Sequence, residues 1–327
     1  MQTNPRFLSC DWGTTNFRLR LVEGETLHVA AENASEKGIA STFALWKQKN
    51  FAEAFRFEFY LEIISEAIQQ MEQEHSFSLS GVPLIVSGMA SAGIGMWELP
   101  YKLLPFQMDG SDLVTKLLPA SDQFPHQMIL ISGARSTDDV MRGEEVQLIG
   151  SVSPAENGEK IFIFPGTHSK HVTVCKGIAN TIQTHLTGEL FHLLCTHSLL
   201  SVSVEQNSDI QEADHKVCFK KGVQDAIHMN PLHSFFLVRT NQLFQKMNPK
   251  ENYHYLSGLL IGLELKELLP KKNTKLILVT NQTLKPFYTT ALIELGLDAD
   301  LELRNADETI LLGHYQMYKQ YLFLHSQ

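Results

Sequence analysis

Two short glycine-bearing turns, each set between apolar runs of β character, constrain this chain more than any other feature. The first lies in FLSCDWGTTNFRLRLV, where Asp11-Trp12-Gly13-Thr14-Thr15-Asn16 interrupts period-two patterning. The second lies in KIFIFPGTHSKHVTVCKG, where Pro165-Gly166-Thr167-His168-Ser169-Lys170 does the same about 155 residues later. A hairpin that recurs at this separation, with negligible identity between the halves, points to an internal structural duplication. The 327 residues exceed the usual size of a single hydrophobic core, so two domains are expected, with a cleft between them as the default ligand site.

What surrounds each turn supports an α/β reading. FLSCDWGTTNFRLRLVEGETLHVAAE predicts a meander of three antiparallel strands. Apolar residues at three- and four-residue spacing from Phe51 to His75 predict an amphipathic helix. Pro83–Ser87 and the MILISG run from Met128 read as strands, and Asp138–Leu148 as a helix with an acidic first turn that complements its dipole. After the second hairpin come helical patterns over 185–198, 216–228, 232–246 and 253–268, a strand over 275–279, and helices over 284–295 and 307–322. The polar turn SPAENGE, Ser153 to Glu159, places a domain boundary that gives units of 1–155 and 156–327.

Charge and composition exclude several classes. The 27 basic and 36 acidic residues give a net charge of −9 without a basic stripe, so neither nucleic acid nor an anionic membrane surface is an expected partner. No apolar run approaches a bilayer span, and the N-terminal MQTNPRFLSCDWG has no signal core, so a cytoplasmic location is expected. Cys10, Cys175, Cys195 and Cys218 form no C-x-x-C pair and read as small buried residues. A homodimer is admitted as the assembly.

The turns carry the chemistry. Gly13 permits close backbone approach, and the amides and hydroxyls of Thr14, Thr15 and Asn16 suit phosphate oxygens, although an ordinary hairpin turn favours the same residues. Asp11, at a strand end, could hold hydrated Mg²⁺. Gly166, Thr167, His168, Ser169 and Lys170 repeat the arrangement with a cation, and two matched loops could clamp a triphosphate. His168 and His171 would diverge across a pleat, which argues against a metal pair. The run Asp138-Asp139-Val140-Met141-Arg142-Gly143-Glu144-Glu145 supplies proton acceptors and an anion contact ahead of an apolar helix. Gly258, Gly262 and Glu264 in YLSGLLIGLEL would let a helix approach another backbone or an adenine ring.

In order and separation, DWGTTNFR, DVMRGEEVQLIG, FPGTHSKHV, HLTGELF and SGLLIGLEL resemble the signature segments of 2-keto-3-deoxy-galactonokinases, from Asp11 to about Tyr288. D-x-G-T is shared with other sugar kinases, heat-shock ATPases and actin, whereas PGTHSK and DVMRGEE are specific to the family. The resemblance implies two ribonuclease-H-like (actin-like ATPase) domains, each a mixed five-stranded sheet flanked by helices, closing on ATP, Mg²⁺ and a 2-keto-3-deoxy sugar acid. It assigns the first phosphate loop and sugar-acid contacts to 1–155, and the second phosphate loop and adenosine site to 156–327. Gly258 to Gly262 with Thr280-Asn281-Gln282 would form the adenosine side, the chain having Val279-Thr280-Asn281-Gln282 after the last strand where such kinases commonly have glycine. Arg18, Ser87, Met89, Arg135 and Arg142 would lie toward the sugar acid. The loop SGMASAGIGMW keeps the Gly-Met and Trp elements but lacks the basic residue often found between them.

The implied reaction is phosphorylation of 2-keto-3-deoxy-D-galactonate, or a close sugar acid, at its 6-hydroxyl. Asp139 is the first candidate for the base, as a carboxylate at a helix start, and Glu144 the second. Arg142, Lys170 or Arg135 would hold the substrate carboxylate. An ATP or polyphosphate hydrolase, or a non-catalytic sugar-acid sensor, are the rival readings on the same fold.

Overall fold

The strand RFLSCDW, β1 (Arg6–Trp12), is buried on both faces over Phe7–Cys10, which its near-continuous apolar run requires of a central strand. It pairs antiparallel with β2 (Phe17–Glu23), which pairs antiparallel with β3 (His28–Ser35). After α1 (Ile39–Gln48) and α2 (Arg56–His75), β4 (Leu84–Gly88) returns parallel to β1, with Ser87 opposite Asp11 and Gly88 opposite Trp12. The short strands β5 (Lys102–Leu103) and β6 (Phe106–Gln107) precede β7 (Thr115–Leu118) and β8 (Met128–Ile131). β8 is parallel to β4, and β7 is antiparallel to β8. The order is β3-β2-β1-β4-β8-β7, a mixed sheet of six strands rather than the expected five. The additional strand, TKLL, is a half-exposed edge too short for its alternation to stand out. The structure, a computed structural model, describes residues 5–151, 158–206, 209–271 and 273–325.

The helix expected over 138–148 is absent as such. Val140–Met141 form β10, antiparallel to β9 (Ala134–Arg135), and α3 (Glu144–Gly150) begins only after Gly143, whose φ of +112° interrupts any helix. The acidic first turn therefore consists of Glu144 and Glu145, and Asp138 and Asp139 belong to the preceding loop.

The second hairpin builds a sheet on the same plan. β11 (Glu159–Phe164), β12 (Ser169–Cys175) and β13 (Ile178–His185) are consecutive, tightly turned neighbours. There follow α4 (Thr187–His197), α5 (Ala213–His228), α6 (Pro231–Leu243) and α7 (Pro249–Leu265). Next come β14 (Lys275–Thr280), α8 (Lys285–Glu294) and β15 (Leu301–Asn305), with β11, β14 and β15 mutually parallel. Both sheets thus contain the run third-second-first-fourth-fifth strand, a meander followed by parallel crossovers, so the duplication inferred from the two turns is visible in the topology; the second sheet also has six strands rather than five, with the two-residue β6 added antiparallel beside β13. This is the two-domain, ribonuclease-H-like α/β plan.

Contacts divide the chain into two units: 1–157 with 175–182 and 306–327, and 158–174 with 183–305. The polar turn expected to mark the boundary lies, over 152–157, outside the described residues. The simple division at 155 also omits the last helix, α9 (Ala306–His325), which belongs to the first unit. There α9 packs on α3 through two glycines. A Cβ on Gly150 would fall 1.8 Å from the Thr309 carbonyl, and one on Gly313 would fall 2.1 Å from that of Val146. Among the described residues, no helix is long and apolar enough to cross a membrane.

Candidate active site

In the first unit the loop after β1 is seated on a helix start. The carbonyls of Gly13, Thr14 and Thr15 accept from the amides of Ile39, Ala40 and Gly38 at 2.9, 3.1 and 3.1 Å. These bonds satisfy amides at the N-terminus of α1, where Gly38 offers no capping side chain. Gly38 is needed for the approach, since a Cβ there would lie 2.3 Å from the Thr14 carbonyl oxygen. With its carbonyls turned onto α1, the loop leaves the side chains of Thr14, Thr15 and Asn16 exposed, the arrangement a phosphate loop needs.

Asp11 sits at the root of this loop. Burial holds its carboxyl above the ordinary range; Arg18 and Arg20 oppose that, while Asp307 and Glu144 add to it. Gly88, at φ +82°, passes so close that a Cβ would meet the Trp12 carbonyl at 2.7 Å. Arg18, expected toward the sugar acid, is ion-paired with Asp307 on the first turn of α9, which also lies 3.4 Å from Arg20. Ser87, expected in the same role, is instead fully buried: its hydroxyl is hydrogen-bonded to His314 Nε2 at 2.9 Å, and His314 Nδ1 to Ser9 at 2.7 Å. Met89 packs half-buried against the core of the first unit.

Arg142 projects from the end of β10. Its guanidinium donates to the hydroxyl and carbonyl of the buried Ser91 and lies 4.1 Å from the Tyr101 ring centroid, while Nε is buried with no hydrogen-bond partner among the described residues. The Arg142 amide donates to Glu144 at 3.0 Å. Glu145 is fully buried and accepts from the Gly143 amide with both oxygens, at 2.9 and 2.8 Å. Burial, with the neighbouring Glu144 charge, pushes its carboxyl up to about 8. Asp139 lies in a turn, where its Oδ1 accepts from the Val140 amide at 2.8 Å and its own amide donates to Ser136. Arg135 is exposed on β9.

The second unit repeats the device. The Thr167 carbonyl accepts from the Glu189 amide at 2.9 Å, and a Cβ on Gly188 would lie 2.5 Å from the Gly166 carbonyl, so this loop is seated on the start of α4. Thr167 and His168 are exposed, His168 being paired with the Glu189 carboxylate. Ser169 and Lys170, expected at the phosphates, are buried. Strand β12 begins at Ser169, whose hydroxyl turns inward to Glu264 at 2.6 Å, and Lys170 Nζ donates to the His168 carbonyl at 2.8 Å.

Beside Gly166 opens a largely apolar pocket of about 200 Å³, walled by Gly188, Tyr253, Ser257, Ile261, Leu284 and Tyr288 among others. Gly258 and Gly262 face the other way: a Cβ at Gly258 would fall 2.0 Å from the Phe219 carbonyl, and one at Gly262 would fall 2.9 Å from Val223. Their close approach is to α5, and Ser257 and Ile261 on the opposite face of α7 line the pocket instead. The Asn281 side chain stays within the turn ahead of α8, accepting from the Leu284 amide at 2.9 Å, and the pocket is bounded by Thr283 and Leu284 just beyond it. Sequence reading did not find Gly188, Glu189, Asp307 or His314, although HLTGELF already contained the first two.

Known proteins are similar to this chain over most of its length. A Rhizobium meliloti protein named for 2-dehydro-3-deoxygalactonokinase activity is 29% identical over 96% of each chain. The 2-dehydro-3-deoxygalactonokinase of Escherichia coli is 28% identical over 80% of this chain and 79% of its own. A solved Sinorhizobium meliloti structure described under the same activity superposes with a TM-score of 0.77 at 28% identity, covering 96% of each chain. The family described as 2-keto-3-deoxy-galactonokinase matches residues 11–317, and the chain belongs to that family.

Proposed function

We propose that this chain transfers the terminal phosphoryl group of ATP to the 6-hydroxyl of 2-keto-3-deoxy-galactonate, a sugar-acid kinase reaction. The observation that carries the reading is the pair of glycine-bearing loops, each seated on a helix start through a close glycine, in a chain that matches this family over 11–317. Phosphoryl transfer asks a protein for alignment and charge neutralisation more than for covalent chemistry. The exposed Thr14, Thr15 and Asn16 offer donors for phosphate oxygens in one unit, and Thr167 and His168 in the other. The apolar pocket beside Gly166 takes the adenosine.

Asp11 fits Mg²⁺, because a half-buried carboxylate held above its ordinary range is stabilised by an added cation, and Mg²⁺ commonly takes one or two carboxylates with water. When bound, the ion would neutralise charge developing on the phosphates. For the base, Glu144 replaces Asp139 as the preferred residue. It stands at the first position of α3 and contributes to the field at Asp11, whereas Asp139 is turned onto its own backbone. Arg142, held by Ser91 and Tyr101, takes the substrate carboxylate.

Coupled ADP release with Mg-ATP across a panel of 2-keto-3-deoxy sugar acids tests the reading. Acceptor-dependent turnover that Asp11→Ala abolishes supports it. Hydrolysis at the same rate without any acceptor would refute it.

A further inference from the structure

Glu264 lies on the last turn of α7, almost fully buried at 2% exposure, in a position where no ligand would touch it. Its carboxylate nonetheless collects four donors. Oε1 accepts from the Ser169 hydroxyl at 2.6 Å and from His171 Nε2 at 3.1 Å. Oε2 accepts from the Thr187 hydroxyl at 2.5 Å and from the Tyr288 hydroxyl at 2.8 Å. A carboxylate has about four lone-pair sites, so this one is saturated. Each donor belongs to a segment that shapes the nucleotide half-site. Ser169 ends the second loop, and His171 follows on the same strand. Thr187 opens the helix on which the loop is seated, and Tyr288 forms a wall of the adenosine pocket.

We infer that Glu264 is a positioning residue of the nucleotide site, fixing the second loop, the start of α4 and the Tyr288 wall of the pocket in one arrangement. The inference rests on the assignment of this pocket and loop to ATP. It requires an acceptor on both oxygens rather than mere filling of space. Glutamine, the same size, would present an amide N–H to two of the four donors, whose own protons would then lose their acceptor in a buried site. Aspartate would keep the charge and the acceptors at a shorter reach.

The pattern also joins three separate pieces of the sequence in one device. The serine of PGTHSK and the threonine of HLTGELF meet at the carboxylate of the glutamate of GLLIGLEL, which lies 95 and 77 residues away from them in sequence.

Calorimetric titration of ADP, without sugar acid, tests the inference independently of turnover. Glu264→Gln should weaken ADP binding on the order of tenfold to a hundredfold, and Glu264→Asp by less. Glu294→Gln removes the ion pair of α8 with Lys220, outside this cluster, and serves as a control for loss of stability alone; its ADP affinity should match wild type. Should Glu264→Gln not fold, Thr187→Val removes a single donor and should still weaken ADP several-fold. Unchanged ADP affinity in Glu264→Gln or Thr187→Val, with only a lowered Tm, would overturn the inference, as would an equal loss in Glu294→Gln. Absence of acceptor-dependent turnover in a wild type that binds ADP would instead count against the kinase reading and leave Glu264 in place.

Discussion

The Thr167 carbonyl accepts a 2.9 Å hydrogen bond from the Glu189 amide, so the second glycine-bearing loop rests on the first turn of α4. Gly38 and the loop Gly13–Thr15 stand in the same relation at α1. In each unit a helix start without a capping side chain is satisfied by loop carbonyls, and the loop's remaining polar groups are turned outward.

Gly188→Ala should therefore damage nucleotide use selectively. Its Cβ would meet backbone at 2.5 and 2.8 Å, which only a shift of the loop can relieve. KM for ATP should rise about tenfold or more with KM for the sugar acid within about twofold, at a stability cost of ~1–3 kcal/mol. Steady-state kinetics with each substrate varied in turn decides it.

The two candidate bases separate by the same measurement. Glu144→Gln should lower kcat by about a hundredfold or more with little change in either KM, as expected for a group used in the transition state. Asp139→Asn keeps an oxygen acceptor for the Val140 amide and should cost less than about tenfold. The reverse order would return the base to Asp139.

Arg142→Lys tests the carboxylate contact. Lysine cannot donate to both Ser91 atoms, lie flat over Tyr101 and still offer a paired donor. KM for the sugar acid should rise about tenfold to a hundredfold while KM for ATP stays near wild type.

Much of this was legible in the sequence for a physical reason: glycine and hydroxyl residues between two apolar strands have few local alternatives, so both loops and the recurring hairpin could be read directly, whereas the strand Ile178–His185 that completes the second meander was not. The charged run 138–145 misled because acidic residues suit a helix start, and nothing local signals that Gly143 adopts φ +112° and delays α3 to Glu144. Small residues at four-residue spacing in α7 carry no sign of which partner approaches, and the approach proved to be α5. Ser169 and Lys170 follow the exposed Thr167 and His168 without a break, so the point where strand burial begins was not visible. Glu264 was beyond reach as a hub because its partners lie 95, 93, 77 and 24 residues away.

His314 gives the first unit an acid limit. Burial, with Arg20 adding, lowers its imidazole from 6.5 to about 3, between Ser9 and Ser87. A depressed histidine is neutral when folded but protonates when unfolded, so the unfolded state binds the extra proton. Its contribution is fully present above about pH 6.5 and is lost as pH falls toward 3. Denaturant titrations between pH 7 and 4 should show falling stability, with a shallower slope in His314→Gln.

Glu145 acts on the opposite limb. Its carboxyl rises from 4.5 to about 8, chiefly by burial, so between these values the folded state retains a proton that the unfolded state has released. Stability from this group is complete below about pH 4.5, declines as pH rises, and is gone above about 8. Glu145→Gln keeps a carbonyl oxygen for the Gly143 amide and has no charge to suppress, so it should remove this decline and leave the protein more stable at pH 8 by a few kcal/mol at most. Thermal melts of wild type and variant at pH 5 and pH 8 measure it. A Tm difference that widens toward pH 8 identifies Glu145 as a protonated core residue. Equal Tm shifts at both pH values would mean that its carboxyl ionises normally, for instance through an exchange of roles with Glu144.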